Sequence, residues 1–190
     1  MENDNPLIDK LVYLDIEYIS LKYEEITKNP PVSTFTKTEG GKVGIGIPFI
    51  NAGVHTYESR TYSLSSVAML KKVYKELGKY KPFVPKEFKN SKGSSIFWID
   101  GSLTLGRWTD RETGDTSCEL FEIYQGKHHV SLLTKNDYFY PGFASMLAMD
   151  RVLKFNIDIP VRTLAKVLYY ADPCKSFVAA PFIIFEIVGQ

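Results

Sequence analysis

The stretch LKFNIDIPVRTLAKVLYYADPCKSFVAAPFIIFEIV (residues 153–188) sets the fold class when read in three pieces. Leu153 to Ile159 alternates apolar and polar residues, the period of a strand with one face buried. Pro160 suits the first position of a helix, where its missing N–H costs nothing. The spacing of Val161, Leu164, Leu168 and Ala171 then predicts a helix running to about Ala171. Phe177 to Val188 is nearly all apolar and reads as a strand buried on both faces, with Pro181 marking a bulge or an edge. Strand, helix and strand in succession point to a mixed α and β chain.

Working towards the N-terminus, the segment before this one is rich in strand signals. Ser95–Asp100 and Ser102–Trp108 read as strands bent or broken at Gly101. Cys118–Tyr124 and His129–Thr134 form a hairpin around Gln125-Gly126-Lys127. The Asp110–Gly114 stretch has turn chemistry and joins Trp108 to the Cys118 strand. Tyr138 to Met149 is aromatic and apolar, a loop leading into a short helix.

Two helices are written clearly in the first half. Asp15 is an N-cap for a helix from Ile16 to about Thr27, with Ile16, Ile19, Tyr23 and Ile26 on one face. Ser65 or Ser66 caps a second, striped by Val67, Leu70, Tyr74 and Leu77, with Gly78 placed for a left-handed C′ residue. Tyr80 to Lys92 reads as a loop. Val12–Leu14 is a short strand, and His55–Tyr62 a short extended piece. The Gly44-Ile-Gly46-Ile-Pro-Phe49 segment is an edge strand or flap, because glycine and proline weaken a central strand. The expected whole is a single α+β domain over residues 1–190. It has a mainly antiparallel sheet with three or four helices packed mostly on one side.

The order of Tyr13-Leu14-Asp15 with its helix, the Gly44–Phe49 segment, the Ser63-Leu64 helix entry and the Phe97–Leu105 block resembles a bacterial family classed as domains of unknown function. That resemblance implies a prokaryotic origin, and no catalytic residue carries over from it.

Composition removes several classes of function. With 44% apolar and 24% charged residues among 190, the chain buries a core without a metal or disulfide framework. Its 23 basic and 22 acidic residues leave a formal charge of +1, so no global field draws it to nucleic acid or lipid. Cys118 and Cys174 suit two free, buried thiols in a reducing compartment. The first ten residues are too polar for a signal peptide, and the longest apolar run falls well short of a membrane span of about 20 residues. The expected location is the cytoplasm.

No motif with catalytic geometry is present. His128 and His129 are adjacent on a strand and point to opposite faces, so they do not share a metal. His55 adds no recognised ligand spacing, and no metal or cofactor is expected. Lys42 is followed by Val43, not by the Ser or Thr of a phosphate loop. The nearest approach to a hydrolase set is Asp100, His128 and Cys118.

Two binding features stand out instead. Gly44, Gly46 and Phe49, with Tyr138, Phe139, Tyr140 and Phe143, form a glycine-rich edge and an aromatic cluster suited to a protein partner or a second copy of the chain. Lys71 to Lys92 carries eight lysines against Glu76 and Glu87, a local balance of +6, with Tyr74, Tyr80, Phe83 and Phe88 interleaved. Lysines for phosphates beside aromatics for bases is the chemistry of sequence-tolerant nucleic-acid binding, with Lys71, Lys75, Lys79 and Lys81 as its contacts. The N-terminal 28 residues, with seven acidic side chains against three lysines, offer a counter-charge. The primary expectation is a non-catalytic binding or regulatory module; nucleic-acid binding and a small hydrolase are the alternatives.

Overall fold

A computed structural model describes residues 10–31, 33–39, 56–62, 66–90, 93–109, 116–140 and 156–187. Its centre is a closed barrel. Five strands, β4 (Ser95–Thr109), β5 (Thr116–Gln125), β6 (His128–Leu132), β7 (Ile159–Ala171) and β8 (Ser176–Glu186), join in the order β4-β5-β6-β8-β7 and back to β4. Every pairing is antiparallel except that of β6 with β8. β7 borders β8 along its length, while the opposite edge of β8 takes β6 at Ser176–Ala179 and β1 (Leu11–Leu14) at Ile183–Phe185. β2 (Ser33–Glu39) and β3 (Thr56–Tyr62) form a separate antiparallel pair.

The expected α+β sheet with helices on one side is therefore corrected to a five-stranded barrel with one added strand. The decisive segment is 160–171, a strand and not a helix. Val161, Thr163, Ala165 and Val167 point into the barrel, whereas Leu164 lies beneath the helices on the outer face. Because both faces are buried there, apolar residues of two rows fall by coincidence at helical spacing. Asn156–Asp158 precede the strand, and residues 153–155 of the alternating stretch lie outside the described residues.

The barrel interior is built from inward rows such as Ile99, Leu103, Ile123, Val130, Leu132 and Ile184, all fully buried. One end is filled by Tyr13 and Phe139, whose rings stand 5.0 Å apart, with Phe121 4.9 Å beyond. The other end is stopped by Phe83 and Phe88, each edge-on to Phe177 at 5.0 and 5.9 Å. Phe88 comes from α3 (Pro85–Asn90), a short helix within the expected 80–92 loop. Residues 81–83 are tied to β4 by Trp98 N–H donating to the Lys81 carbonyl and Phe83 N–H to that of Trp98.

Outside the barrel, α1 (Ile16–Thr27) and α2 (Ser66–Leu77) cover β1 and parts of β4, β7 and β8. Asp15 caps α1 through the Tyr18 amide at 3.0 Å, as its sequence predicts. Ile19 is buried there, but Ile26 is exposed. Met69, Leu70, Val73 and Leu77 form the buried stripe of α2 and surround Trp98, whose indole N–H donates to the Leu77 carbonyl at 2.9 Å. Gly78 is not left-handed; the positive-φ glycines among the described residues are Gly93 and Gly126. The last turn of α2 instead runs on through Gly78, Lys79 and Tyr80 with further backbone bonds.

Thr163, midway along β7, breaks the apolar pattern of the interior. Thr163 is fully buried and its hydroxyl has no hydrogen-bond partner. An orphaned buried hydroxyl costs about 1–3 kcal/mol, so Thr163→Val should stabilise the barrel by about 1 kcal/mol. Urea unfolding checks this, and a lower midpoint for the variant would contradict it.

Candidate functional site

The richest clustering of cationic and aromatic groups lies at the barrel end stopped by α3. Strand alternation puts His128 on the inward row with Val130, so its ring reaches the barrel end, 6.2 Å from Phe177. Partial burial lowers the His128 pKa first, and the nearby charges of Lys127, Lys89, His129 and Lys86 lower it further. Lys127 precedes His128 in the hairpin, and Lys86 and Lys89 of α3 add like charge that acts on the same imidazole. Lys89 Nζ stands 3.5 Å from the centre of the Tyr170 ring, a cation–π contact that positions the ammonium group. Gly126, at φ +60, makes the β5–β6 turn that carries Lys127.

From this end a lysine track continues onto α2. Lys71, Lys75 and Lys79 follow at spacings of four on the side opposite the buried stripe, and Lys72 flanks them; all four are exposed, as are Lys81, Lys86 and Lys89. Like charges at that spacing destabilise a helix by a few tenths of a kcal/mol per pair. Lys79 is relieved by Glu76. Of the expected N-terminal counter-charge, Glu25 of α1 lines one cleft with Glu76 and Lys79. Glu25 pairs with Lys22 and Glu17 with Lys135, and among the described residues no ion pair joins α1 to residues 71–89.

Beside the basic end, the outer face of the barrel is polar. Tyr124 and His129 are register partners across β5 and β6, with ring centres 4.2 Å apart. One row on, the Ser131 hydroxyl donates to Glu122 Oε1 at 3.1 Å and lies 2.9 Å from the Ser176 hydroxyl. These three side chains are buried although they point away from the barrel interior. Gly106 makes room for them, since a Cβ there would lie 2.2 Å from Glu122 Oε2.

The other sequence candidates are dispersed. Asp100 is exposed on the outer face and ion-paired with Arg162 at 3.1 Å, whereas His128 points along the interior row. They lie on opposite sides of the sheet. Cys118 belongs to β5, but its side chain is outside the described residues, as is His55. Cys174 is exposed on the β7–β8 turn, contrary to the expected buried thiol. No group of three His, Cys, Asp or Glu side chains among the described residues is placed to hold a metal.

Of the aromatic cluster, Phe139 is buried between Tyr13 and Phe121. Tyr138 is half-buried against Tyr13, 5.8 Å between ring centres, and accepts a hydrogen bond from Lys135 at 3.2 Å. Tyr140 is half-buried beside the helix layer. Gly44, Gly46, Phe49 and Phe143 lie outside the described residues. A groove of about 540 Å³ runs past Leu105, Leu120, Leu133 and Lys135 at the far end of the barrel, and its one lysine is already bonded to Tyr138 and Glu17.

Lys71, Lys75, Lys79 and Lys81 were legible as a charge run. That Lys86 and Lys89 act on His128 is not legible there, because the β5–β6 hairpin is about forty residues further on. No helix among the described residues is long and apolar enough to cross a membrane. Comparison with family models, with curated proteins and with solved structures found no match.

Proposed function

We propose that this chain is a non-catalytic module that binds nucleic acid through the lysine track from α2 to the stopped end of the barrel. The observation that carries this reading is the run of exposed lysines from α2 through α3, of which Lys71, Lys72, Lys75, Lys81, Lys86 and Lys89 form no ion pair among the described residues. Such an arrangement opposes itself electrostatically and is relieved by a polyanion, which gains further from counterion release. The five-stranded Greek-key barrel is of the OB type, an architecture that elsewhere carries oligonucleotides and oligosaccharides. Fold alone assigns no activity, so the charge is the argument and the barrel its scaffold. Asp100 and His128, on opposite sides of the sheet, supply no catalytic pair. Tyr138, Phe139 and Tyr140 are engaged in contacts within the chain, which favours the lysines over that cluster as the binding surface.

Gel shift with short oligonucleotides at low and moderate salt tests the proposal. Binding should weaken steeply with salt. Reversing Lys71, Lys75, Lys79 and Lys81 to Glu should abolish the shift at moderate salt. Reversing Lys86 and Lys89 should reduce the log–log salt slope by about 0.7–0.9 per lysine. A quadruple variant that binds as the parent does would end the proposal.

A further inference from the structure

α1 and α2 lie side by side on the barrel, with a cleft lined by Glu25, Ile26, Glu76 and Lys79 between them. Each turns a face of one sign to solvent. On α1 and its C-cap that face is Glu17, Leu21, Glu24, Glu25 and Lys28, with Ile26 at its edge towards the cleft. These positions recur at helical spacing, opposite the buried Ile19 and Ser20. On α2 the outer face is Lys71, Lys72, Lys75 and Lys79. The two faces do not neutralise one another within the chain. Glu25 is taken by Lys22, Glu17 by Lys135 and Lys79 by Glu76, while Glu24, Lys71, Lys72 and Lys75 form no ion pair among the described residues. Leu21, amid the carboxylates, is 64% accessible. Single exposed leucines are common, so charge carries the argument and Leu21 supplies the apolar centre that an interface needs.

We infer that the α1–α2 layer docks on the same layer of a second copy of this chain, the acidic face of α1 against the basic face of the partner's α2. A two-fold axis running between the helices, along the layer, sets each face over its opposite in one operation and so makes two identical seams. A foreign partner would have to carry the reverse arrangement; a second copy carries it already. Two helices of 12 residues are each about 18 Å long and 10 Å wide, so the layer offers roughly 350 Å² to its partner. That is less than half of the about 800 Å² per partner of a standard complex. The dimer is therefore weak, reversible and sensitive to salt. The inference goes beyond the nucleic-acid reading but meets it on α2: a polyanion and the partner's α1 compete for the same lysines.

Sedimentation velocity of the full chain, free of nucleic acid, tests the inference at low and moderate salt. A dimer should form with rising concentration at low salt and dissociate as salt screens both seams. Reversing Glu24 and Glu25 to Lys should leave one variant monomeric, and reversing Lys71 and Lys75 to Glu another. Mixed in equal amounts, the two should recover the dimer, because each then meets opposite charge on both seams. Leu21→Ser should weaken the parent dimer roughly tenfold with its salt dependence unchanged. A parent that stays monomeric at low salt, a reversed variant that dimerises as the parent does, or a mixture that fails to associate would overturn it. The nucleic-acid reading is judged apart: the variant reversed at Glu24 and Glu25 should still shift an oligonucleotide, and a parent that shifts none defeats that reading while the dimer stands or falls by sedimentation.

Discussion

Gly101→Val should leave the chain unable to fold, and Gly101→Ala should cost about 3 kcal/mol or more. β4 pairs with β7 from Ser95 to Leu103 and with β5 from Ser102 to Thr109, so its course turns where the two ladders overlap. Gly101 sits at that turn. A Cβ there would lie 2.4 Å from the Tyr124 carbonyl oxygen and 2.7 Å from Ile123 Cγ2. Relief by movement is closed off, because Tyr124 is backbone-paired to β4 on one side and β6 on the other. Moving it would open the barrel. Against a typical domain stability of about 5–15 kcal/mol, the larger valine exceeds what the fold can absorb. Gly126→Ala is the control: nothing lies within 4 Å of its Cβ position, and its φ is +60. It should lose only the left-handed cost of about 1–2 kcal/mol. Urea midpoints for the two alanine variants decide the matter; equal losses would show that Gly101 is not a closure point.

Gly101 also shows how far the sequence could be read. Its position marked a bend, and the flanking strands and the following hairpin are where their alternation placed them. The bend was legible, but its consequence was not. Closure depends on pairings between segments about sixty residues apart, such as β4 with β7, and local periodicity carries no such information. The segment 160–171 failed for a related reason. A helical reading assumes that one face is buried, while β7 is buried inside by the barrel and outside by the α1–α2 layer. Once Leu164 on the outer row is counted with Val161 on the inner one, the spacing imitates a helix. Pro160 reinforced the error, since a proline two residues into an edge of structure fits either element. The helix at 85–90 was obscured because Phe83 and Phe88 act as a stopper and not as a stripe, giving no periodic signal.

The candidate site divides along the same line. A run of lysines within about twenty residues is visible as composition, and the structure leaves those on α2 exposed. What local sequence does not carry is that α3, with Lys86 and Lys89, closes the barrel end reached by His128 of the β5–β6 hairpin.

Phe177→Ala should test whether the barrel core and the basic end are one construction. Phe177 is fully buried, with Phe83, Phe88 and Tyr170 around it at 5.0, 5.9 and 4.8 Å between ring centres. Truncating a buried phenylalanine costs about 3–5 kcal/mol, which for a chain of this size lowers Tm by roughly 10 °C. A six-residue helix has no stability of its own in water, so α3 depends on Phe88 having a ring to meet. Lys89 depends on it as well, since its ammonium group lies over Tyr170, with Phe177 just beyond at 5.7 Å. The variant should therefore lose hydrogen-exchange protection first at α3 and the 81–83 tether, while the β7–β8 ladder stays protected. Oligonucleotide affinity measured well below the new Tm should fall as well, through Lys86 and Lys89 no longer being held at the barrel end. A variant that loses stability but keeps both α3 protection and affinity would separate the two, and the lysines of α3 would then owe their placement to the Trp98 tether rather than to the aromatic stopper.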